Sequence, residues 1–512
     1  LDPHLAILGE GPRDRPPRQR TLRGTVAWSY GLLDPTEQRV FTAVSLFAGG
    51  ATVESALAVV EGIGPGMAPP DPDDARRSKE LAGVLDALVN KSLLVAETQP
   101  DGERRYLMLN TIHACATELL AESDPEPLHR RHLTYFAAFA ERAGDGMTGP
   151  DQARWAEALG QEYANLRAAL SYAVAHNDLT MAARLCIGLW RHWRNGSHIR
   201  DGREWLDRVL AAPEGLSATE RVGLLYPAAV LAATQDDTAA ALRLGTECLT
   251  LAERIGDREG VAQARNILGV AAMLAGNYDA AAAHFRYCLS LWQELERRPG
   301  MAIALGNLAK VALRQGDIAA ANDYVNRCLE LEREAGNRRG ILLGLTCLAE
   351  VLLARPDPVA VRTVAQEVLQ LAGELGDLFG EAVALHHLGQ AALLLGERDE
   401  ALRYLLEALE RRHELGDRAD LATSLDSVAG VVVDDDPELA VRLAAAVDTL
   451  RRRHGLAAPS AAAAGREQTL ATARRILDEA SFTAAWRSGA TMPLELAVDQ
   501  ALDRAPGALR RR

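Results

Sequence analysis

The sequence predicts a mainly α-helical protein: a block of helices closed by a β-hairpin, followed by a solenoid of stacked helical hairpins. Two observations carry most of that prediction. Apolar and turn residues recur every 40 residues through 218–455, and the stretches between turns show helical spacing in strong helix formers, Ala, Leu, Arg and Glu. The third is a pair of short β-type runs, "SLLVAE" and "RYLML", on either side of Gln99-Pro100-Asp101-Gly102.

Composition sets the frame. A chain of 512 residues has room for three domains or one elongated array. Apolar residues make up 48% and charged residues 25%, as in a globular chain that folds in water. The net charge of −14 gives no general attraction to phosphate backbones or anionic lipid. No apolar run reaches ~18 residues and no signal-peptide pattern opens the chain, so a cytoplasmic setting with reduced thiols is expected. The chain opens on Leu1, in a stretch that reads like the interior of a domain, so an upstream part is expected.

Residues 1–20 read as a Pro- and Arg-rich linker, and 21–122 as a first domain. "TLRGTVAWSYGLL" is a helix, and Asp34-Pro35-Thr36-Glu37 starts the next one with an N-cap, Pro at N1 and Glu at N3. After Gly49-Gly50 come a short helix at 52–61, a disordered loop "GIGPGMAPPDPDDARR", and the helix "KELAGVLDALVNK" with Ser78 as its expected cap. The two strands and a helix from Asn110, its expected N-cap, to about Glu122 complete a winged-helix pattern. Residues 123–215 read as a helical linker domain, with Trp155, Trp190, Trp193 and Trp205 as a core stripe. Residues 456–512, with Phe482, Trp486 and Gly489, read as a C-terminal helical cap and basic tail.

The array, 216–455, is set by its period. Cys248, Cys288 and Cys328 stand 40 residues apart, and Leu249, Leu289, Leu329, Leu369 and Leu409 follow them without exception. Gly256, Gly336, Gly376 and Gly416 mark one turn, with Glu296 in the gap; Asp236, Gly276, Gly316, Pro356 and Gly396 mark the other. Small residues recur at Ala229, Gly269, Ala309, Ala349, Gly389 and Ala429, and at Ala241, Ala281, Ala321, Val361 and Ala401. Glycine at the turns supplies the positive φ that stops a helix, and each hairpin must stack to bury its apolar face.

Leu268, Gly269, Ala281, Phe285 and Cys288 resemble the tetratricopeptide repeat, with a period of 40 in place of about 34. The resemblance implies about five helical pairs, with the cysteines at a position that takes a small apolar residue. Equivalent sites in stacked repeats lie near ~10 Å apart. That is too far for a disulfide of ~2.05 Å or for shared metal bonds. The cysteines are expected to be core.

"TLRGTVAWSYGLLDPTEQRVFTAVSLFAGG", "VLDALVNKSLLVAE" and "RYLMLNTIHACATELL" resemble the winged-helix region that follows the nucleotide-binding core in STAND-class NTPases. The order, winged helix then repeat array, resembles actinobacterial regulators of that class. Two departures limit what this implies. No GxxxxGK[ST] occurs, and none of Lys79, Lys91 and Lys310 follows a glycine, so the phosphate nest is missing from this sequence. Where the family carries a Met-His-Asp sensor, this chain reads Met108-Leu109-Asn110, and Leu109 has no group to bind a phosphate. ATP hydrolysis by this polypeptide is not expected.

HExxH, CxxC and GxSxG do not occur either. His129 and His132 share a helix face with no third ligand and read as exposed, while His386 and His387 read as half packed. No catalytic residue, cofactor or metal is expected. The expected function is a non-catalytic regulatory and protein-interaction module of a STAND-like signalling regulator in transcriptional control. The alternative is a DNA-binding transcriptional regulator acting directly through its winged helix. Its candidate recognition helix, however, sets Lys79 and Lys91 around Glu80 and Asp86 and has no arginine to aim at bases. A third reading has the array bind a small-molecule inducer.

In stacked hairpins of this kind, helix A of each unit lines a groove. Its outward columns should be those that vary, Asn266, Gly306, Thr346, His386, Asp426 and then Ile267, Asn307, Cys347, His387, Ser427, with Lys310, Glu350 and Gln390 beyond. Polar side chains along a groove suit an extended peptide, whose amides must be paired once desolvated. The candidate interaction residues are Asn266, Asn307, Lys310, Arg314, Thr346, Glu350, His386, His387 and Gln390. The expected partner is a protein or peptide, with no membrane.

Overall fold

The computed structural model describes residues 22–62, 72–99, 102–196, 198–212, 214–235, 237–415, 418–454 and 460–504. The Pro- and Arg-rich linker, the basic tail, Pro100-Asp101 and residues 63–71 of the expected loop lie outside the described residues. The chain divides into two compact units, one ending at Ala275 and the other beginning at Gly276.

The first unit opens with α1 (Leu22–Gly31), α2 (Pro35–Val44), α3 (Val53–Glu61) and α4 (Pro72–Asn90). They lead into an antiparallel hairpin, β1 (Val95–Thr98) and β2 (Arg104–Leu107), and then α5 (Asn110–Ala121). The start of α2 is as expected: Asp34 accepts from the backbone N–H of Thr36 and Glu37 at 2.8 and 2.9 Å, and Glu37 accepts from the N–H of Asp34. Ser78 is no cap. It lies inside α4, which begins at Pro72, so Pro72–Arg77 belong to the helix and not to a loop. Asn110 is the first residue of α5 rather than its N-cap; Leu109 holds that place without a side-chain bond. The first strand also starts three residues later than expected, because Ser92 turns the chain at φ 59°.

α6 (Glu126–Gly146), α7 (Gln152–Ala175), α8 (Leu179–Asn195) and α9 (Ile199–Leu210) follow. A methyl group on Gly188 would stand 2.4 Å from the carbonyl oxygen of Ala140, so α6 and α8 cross backbone to backbone and only glycine fits there. Trp190, Trp193 and Trp205 are buried and Trp155 is half-buried, which makes the stripe core. α10 (Ala218–Thr234), α11 (Thr238–Ile255) and α12 (Arg258–Leu274) complete the unit.

The second unit continues with α13 (Tyr278–Glu294), α14 (Arg298–Gln315), α15 (Ile318–Glu334), α16 (Arg338–Ala354), α17 (Pro358–Leu375), α18 (Leu378–Leu394), α19 (Arg398–Leu415), α20 (Arg418–Val432) and α21 (Pro437–His454). Helices α12, α14, α16, α18 and α20 begin at 258, 298, 338, 378 and 418, so the period holds to the residue. From α10 to α21 there are twelve helices among the described residues, and no strand occurs there. Gly256, Gly336 and Gly376 take φ of 72°, 63° and 62°, and Glu296 fills the same role at 54°. Asp257, Asn337 and Asp377 then cap the next helix, each accepting from the N–H three residues on at 2.9–3.2 Å. α22 (Ser460–Ile476), α23 (Glu479–Ala490) and α24 (Leu494–Leu502) close the unit, with Phe482 buried and Gly489 against the backbone of Arg442.

Candidate functional site

The cysteines settle first. Cys248, Cys288 and Cys328 are unpaired and 0%, 0% and 5% exposed, and burial pushes each thiol up to about 12. They are packing residues, as the spacing predicts.

The predicted groove residues divide by burial. Lys310 and Arg314 on α14 are exposed, while Asn307, Thr346, Glu350 and Gln390 are half-buried. Asn266, His386 and His387 are only 7%, 6% and 6% exposed, which corrects the expectation of solvated positions for those three. The reason is the helix period. His387 lies three residues after Ala384 and four before Ala391, both fully buried, so its column turns inward. Ile267 and Cys347 in the same column are core for the same reason. The hydroxyl of Thr346 is also committed, to the carbonyl of Leu342 at 2.8 Å.

Within the second unit, three of the predicted residues act on one another. The Glu350 carboxyl on α16 is raised by burial, while the cations of Arg314 and Lys310 pull it down and Asp420 pushes it up. Further along, burial holds the imidazole of His386 well below its usual range and that of His387 at about 4, and the Arg412 guanidinium adds to both shifts. Arg412 is itself buried and donates to Ser424 Oγ at 2.7 Å and to the carbonyl of Asp420 at 3.1 Å. Asp426, from the first varying column, is buried in an ion pair with Arg451 at 2.8 Å. Its carboxyl is pushed up to about 6 by burial, against the pull of Arg451 and Arg466. Of these predicted residues in the second unit, then, only Lys310 and Arg314 are exposed; the Glu350 carboxyl is half-buried and the imidazoles of His386 and His387 lie inside.

A second polar cluster lies in the first unit, formed by segments too far apart in the chain for spacing to connect them. Arg105 on β2 donates to the carbonyls of Gly49 and Gly50 at 3.0 and 3.1 Å and pairs with buried Glu162 on α7. Asn165 bonds Glu162 at 2.6 Å and the backbone of Gly49 and Gly50 at 2.9 and 3.0 Å. The hairpin block is thereby joined to the helices after it. His132, expected to be exposed, is buried edge-on to Phe47 and beside Phe136, and burial lowers its imidazole to about 3. On α4, Lys79 is exposed, Lys91 just past the helix pairs with Glu37, and Asp86 pairs with Arg104 at 2.8 Å.

Comparison with known proteins places the fold. Residues 260–334 and 382–416 match tetratricopeptide-repeat family profiles. Over 293 residues the chain is 29% identical to proteins named as HTH-type transcriptional regulators of Mycobacterium tuberculosis and Mycobacterium bovis. The match takes in 56% of this chain and 32% of each relative, so it spans about a third of the length of those relatives. Among solved structures the chain is similar to a signal transduction ATPase with numerous domains (STAND) with a tetratricopeptide-repeat sensor, from Pyrococcus horikoshii. Identity is 15% and the TM-score 0.56, over 97% of this chain and 68% of that one. At that identity the likeness is one of fold: a mainly α-helical chain with tetratricopeptide-type repeats.

Proposed function

We propose that this chain is the non-catalytic sensing and protein-interaction part of a STAND-like signalling regulator that acts in transcriptional control, with residues 21–122 as its winged helix. The observation that carries this reading is the fold likeness along 97% of the chain to a STAND protein with a tetratricopeptide-repeat sensor. The similarity to mycobacterial proteins named as transcriptional regulators supports the setting. The partner is a protein or peptide that meets the repeats along α14, α16 and α18, where Lys310 and Arg314 are exposed. Direct DNA reading by α4 has less support: the helix is longer than expected and does include Arg76 and Arg77, which corrects the reading that it has no arginine, but Arg76 pairs with Glu80 and Arg77 with Glu61, Asp86 within the helix pairs with Arg104, and Lys91 just past it pairs with Glu37.

Replacing Asn307, Lys310 and Arg314 together by Ala should leave the helical circular dichroism nearly unchanged but lower the melting temperature, because Lys310 and Arg314 are exposed while Asn307 is half-buried and the Glu350 carboxyl loses its two nearby cations. Recovery of bound partner from lysate of the source cells should fall; equal recovery would place the interface elsewhere. Mobility-shift assays at several salt concentrations test the alternative, since sequence-specific binding at physiological salt would favour direct DNA recognition.

A further inference from the structure

We propose that the first unit holds a small-molecule site: a cleft where the hairpin block meets α6 and α7, suited to an apolar monocarboxylic acid. The cleft measures about 290 Å³, close to the lower end of ligand pockets at ~300 Å³. It is lined by Leu46 after α2, Leu120 on α5, Pro125 and His129 at the start of α6 and Ala168 on α7. Most of the lining is apolar carbon. Two hydroxyls reach it, but both are committed: Ser45 donates to the carbonyl of Thr42 at 2.7 Å and Thr117 to that of His113 at 2.9 Å.

The imidazoles of His113 and His129 are the polar groups that remain. Among the described residues, neither ring has a hydrogen-bond partner. His129 is held in place by stacking on Tyr172, with centroids 4.6 Å apart and planes 4° apart, while Tyr172 donates its hydroxyl to Glu126. Burial lowers the His129 imidazole, Glu126 raises it and His176 lowers it. Two imidazoles over an apolar floor match a carboxylate: one takes up a proton and pairs with it, and the other donates its N–H. A neutral ligand of the same shape would gain only the apolar contact. Occupancy would also tie Ser45–Ala48 and α5 to α6 and α7, across the junction already held by Arg105, Glu162 and Asn165. A ligand there would bias how firmly the hairpin block is docked, which is what a sensing device needs.

The test is isothermal titration of the full chain with phenylacetate and hexanoate, and with 2-phenylethanol as the neutral counterpart. Runs at pH 6 and pH 8, in buffers of different ionisation enthalpy, report proton uptake. The acids should bind with uptake of up to about one proton and about tenfold more tightly at pH 6 than at pH 8. The alcohol should bind at least about tenfold more weakly than phenylacetate. His113→Gln/His129→Gln should abolish the proton uptake, and Ala168→Phe, which fills the cleft, should abolish binding with the circular dichroism unchanged. If Ala168→Phe unfolds, the histidine pair alone decides. The proposal is overturned if neither acid binds at millimolar concentration, if phenylacetate and the alcohol bind alike, or if proton uptake survives in the histidine pair.

Discussion

Glu162 shows what one residue can hold together and why sequence reading passes over it. It lies 57 residues from Arg105, on a helix surface that spacing alone marks as ordinary. Only the fold reveals that both side chains are buried and that the pair joins the hairpin block to α7. Cys288 is the opposite case. Its 40-residue spacing predicted burial without chemistry, and the thiol is fully buried and protonated. Asn266, His386 and His387 fall between the two: their columns vary from unit to unit, and variation was read as exposure. In a stacked repeat, variation also follows which neighbour fills the space, and a buried site tolerates Ile, Cys or His if its surroundings are sized to match. At this scale, Glu162→Ala should destabilise the first unit by about 3–5 kcal/mol, because it leaves the Arg105 charge buried without its partner. Arg105→Met/Glu162→Leu should recover most of that loss. Urea unfolding followed by tryptophan fluorescence measures both, and a single variant within about 0.5 kcal/mol of wild type would show that solvent reaches the pair.

At the scale of elements, the repeat is legible almost to the residue, since the helix starts at 258, 298, 338 and 378 follow from the turn residues. The reason is physical. At Gly256-Asp257, Gly336-Asn337 and Gly376-Asp377 a left-handed glycine ends one helix and the Asp or Asn beside it caps the next, so two adjacent residues fix both boundaries; at Glu296-Arg297 the left-handed turn is kept without a side-chain cap. The hairpin block lacks such repeated punctuation, and there Ser78 and Asn110, which local sequence marks as caps, lie inside α4 and at the first position of α5. Cross-repeat ion pairs add little to the array. Arg298–Glu334 and Arg338–Glu374 recur with the period but are exposed, so each is worth at most about 1 kcal/mol. Glu296 is the irregular position. It adopts φ 54°, with the N–H of Arg297 donating to the carbonyl of Trp292 at 2.9 Å, as Asp257 does to Ala252 after Gly256. A left-handed conformation costs a side-chain-bearing residue about 1–2 kcal/mol, and glycine's extra backbone entropy returns part of that. Glu296→Gly should therefore stabilise the second unit by about 0.5–1 kcal/mol. A measured loss would mean that the glutamate makes a contact worth more than the strain it carries.

Across the molecule, buried histidines set how stability depends on pH. Burial holds His132 at about 3 and His192 at about 4 in the first unit, and His387 at about 4 and His386 well below its usual range in the second. Each folded value lies below the unfolded value of about 6.5. Below that pH the unfolded chain takes up protons that the folded chain refuses, so stability is complete above about pH 6.5 and falls as the solution is acidified toward the folded values. Asp426 has the opposite sign. Its folded carboxyl is raised from 3.8 to about 6, so between those values the folded chain keeps a proton that the unfolded chain releases. In the second unit this offsets part of the histidine effect, as do the carboxyls of Glu332 and Glu350, which burial also raises, whereas Glu126, Glu220 and Asp237 in the first unit are shifted down. His132 is the cleanest probe, because its ring lies among Phe47 and Phe136 and burial is the larger cause of its shift, with His129 adding to it. At pH 5 its refusal of a proton should cost the first unit about 2 kcal/mol relative to neutral pH. His132→Leu keeps an apolar side chain in that place and removes the titration. Between pH 6 and 4 its unfolding free energy should therefore fall less steeply than that of wild type, by about 1.4 kcal/mol per pH unit. Equal slopes would show that the folded protein admits the proton, and so that the aromatic core around His132 opens in acid before the unit unfolds.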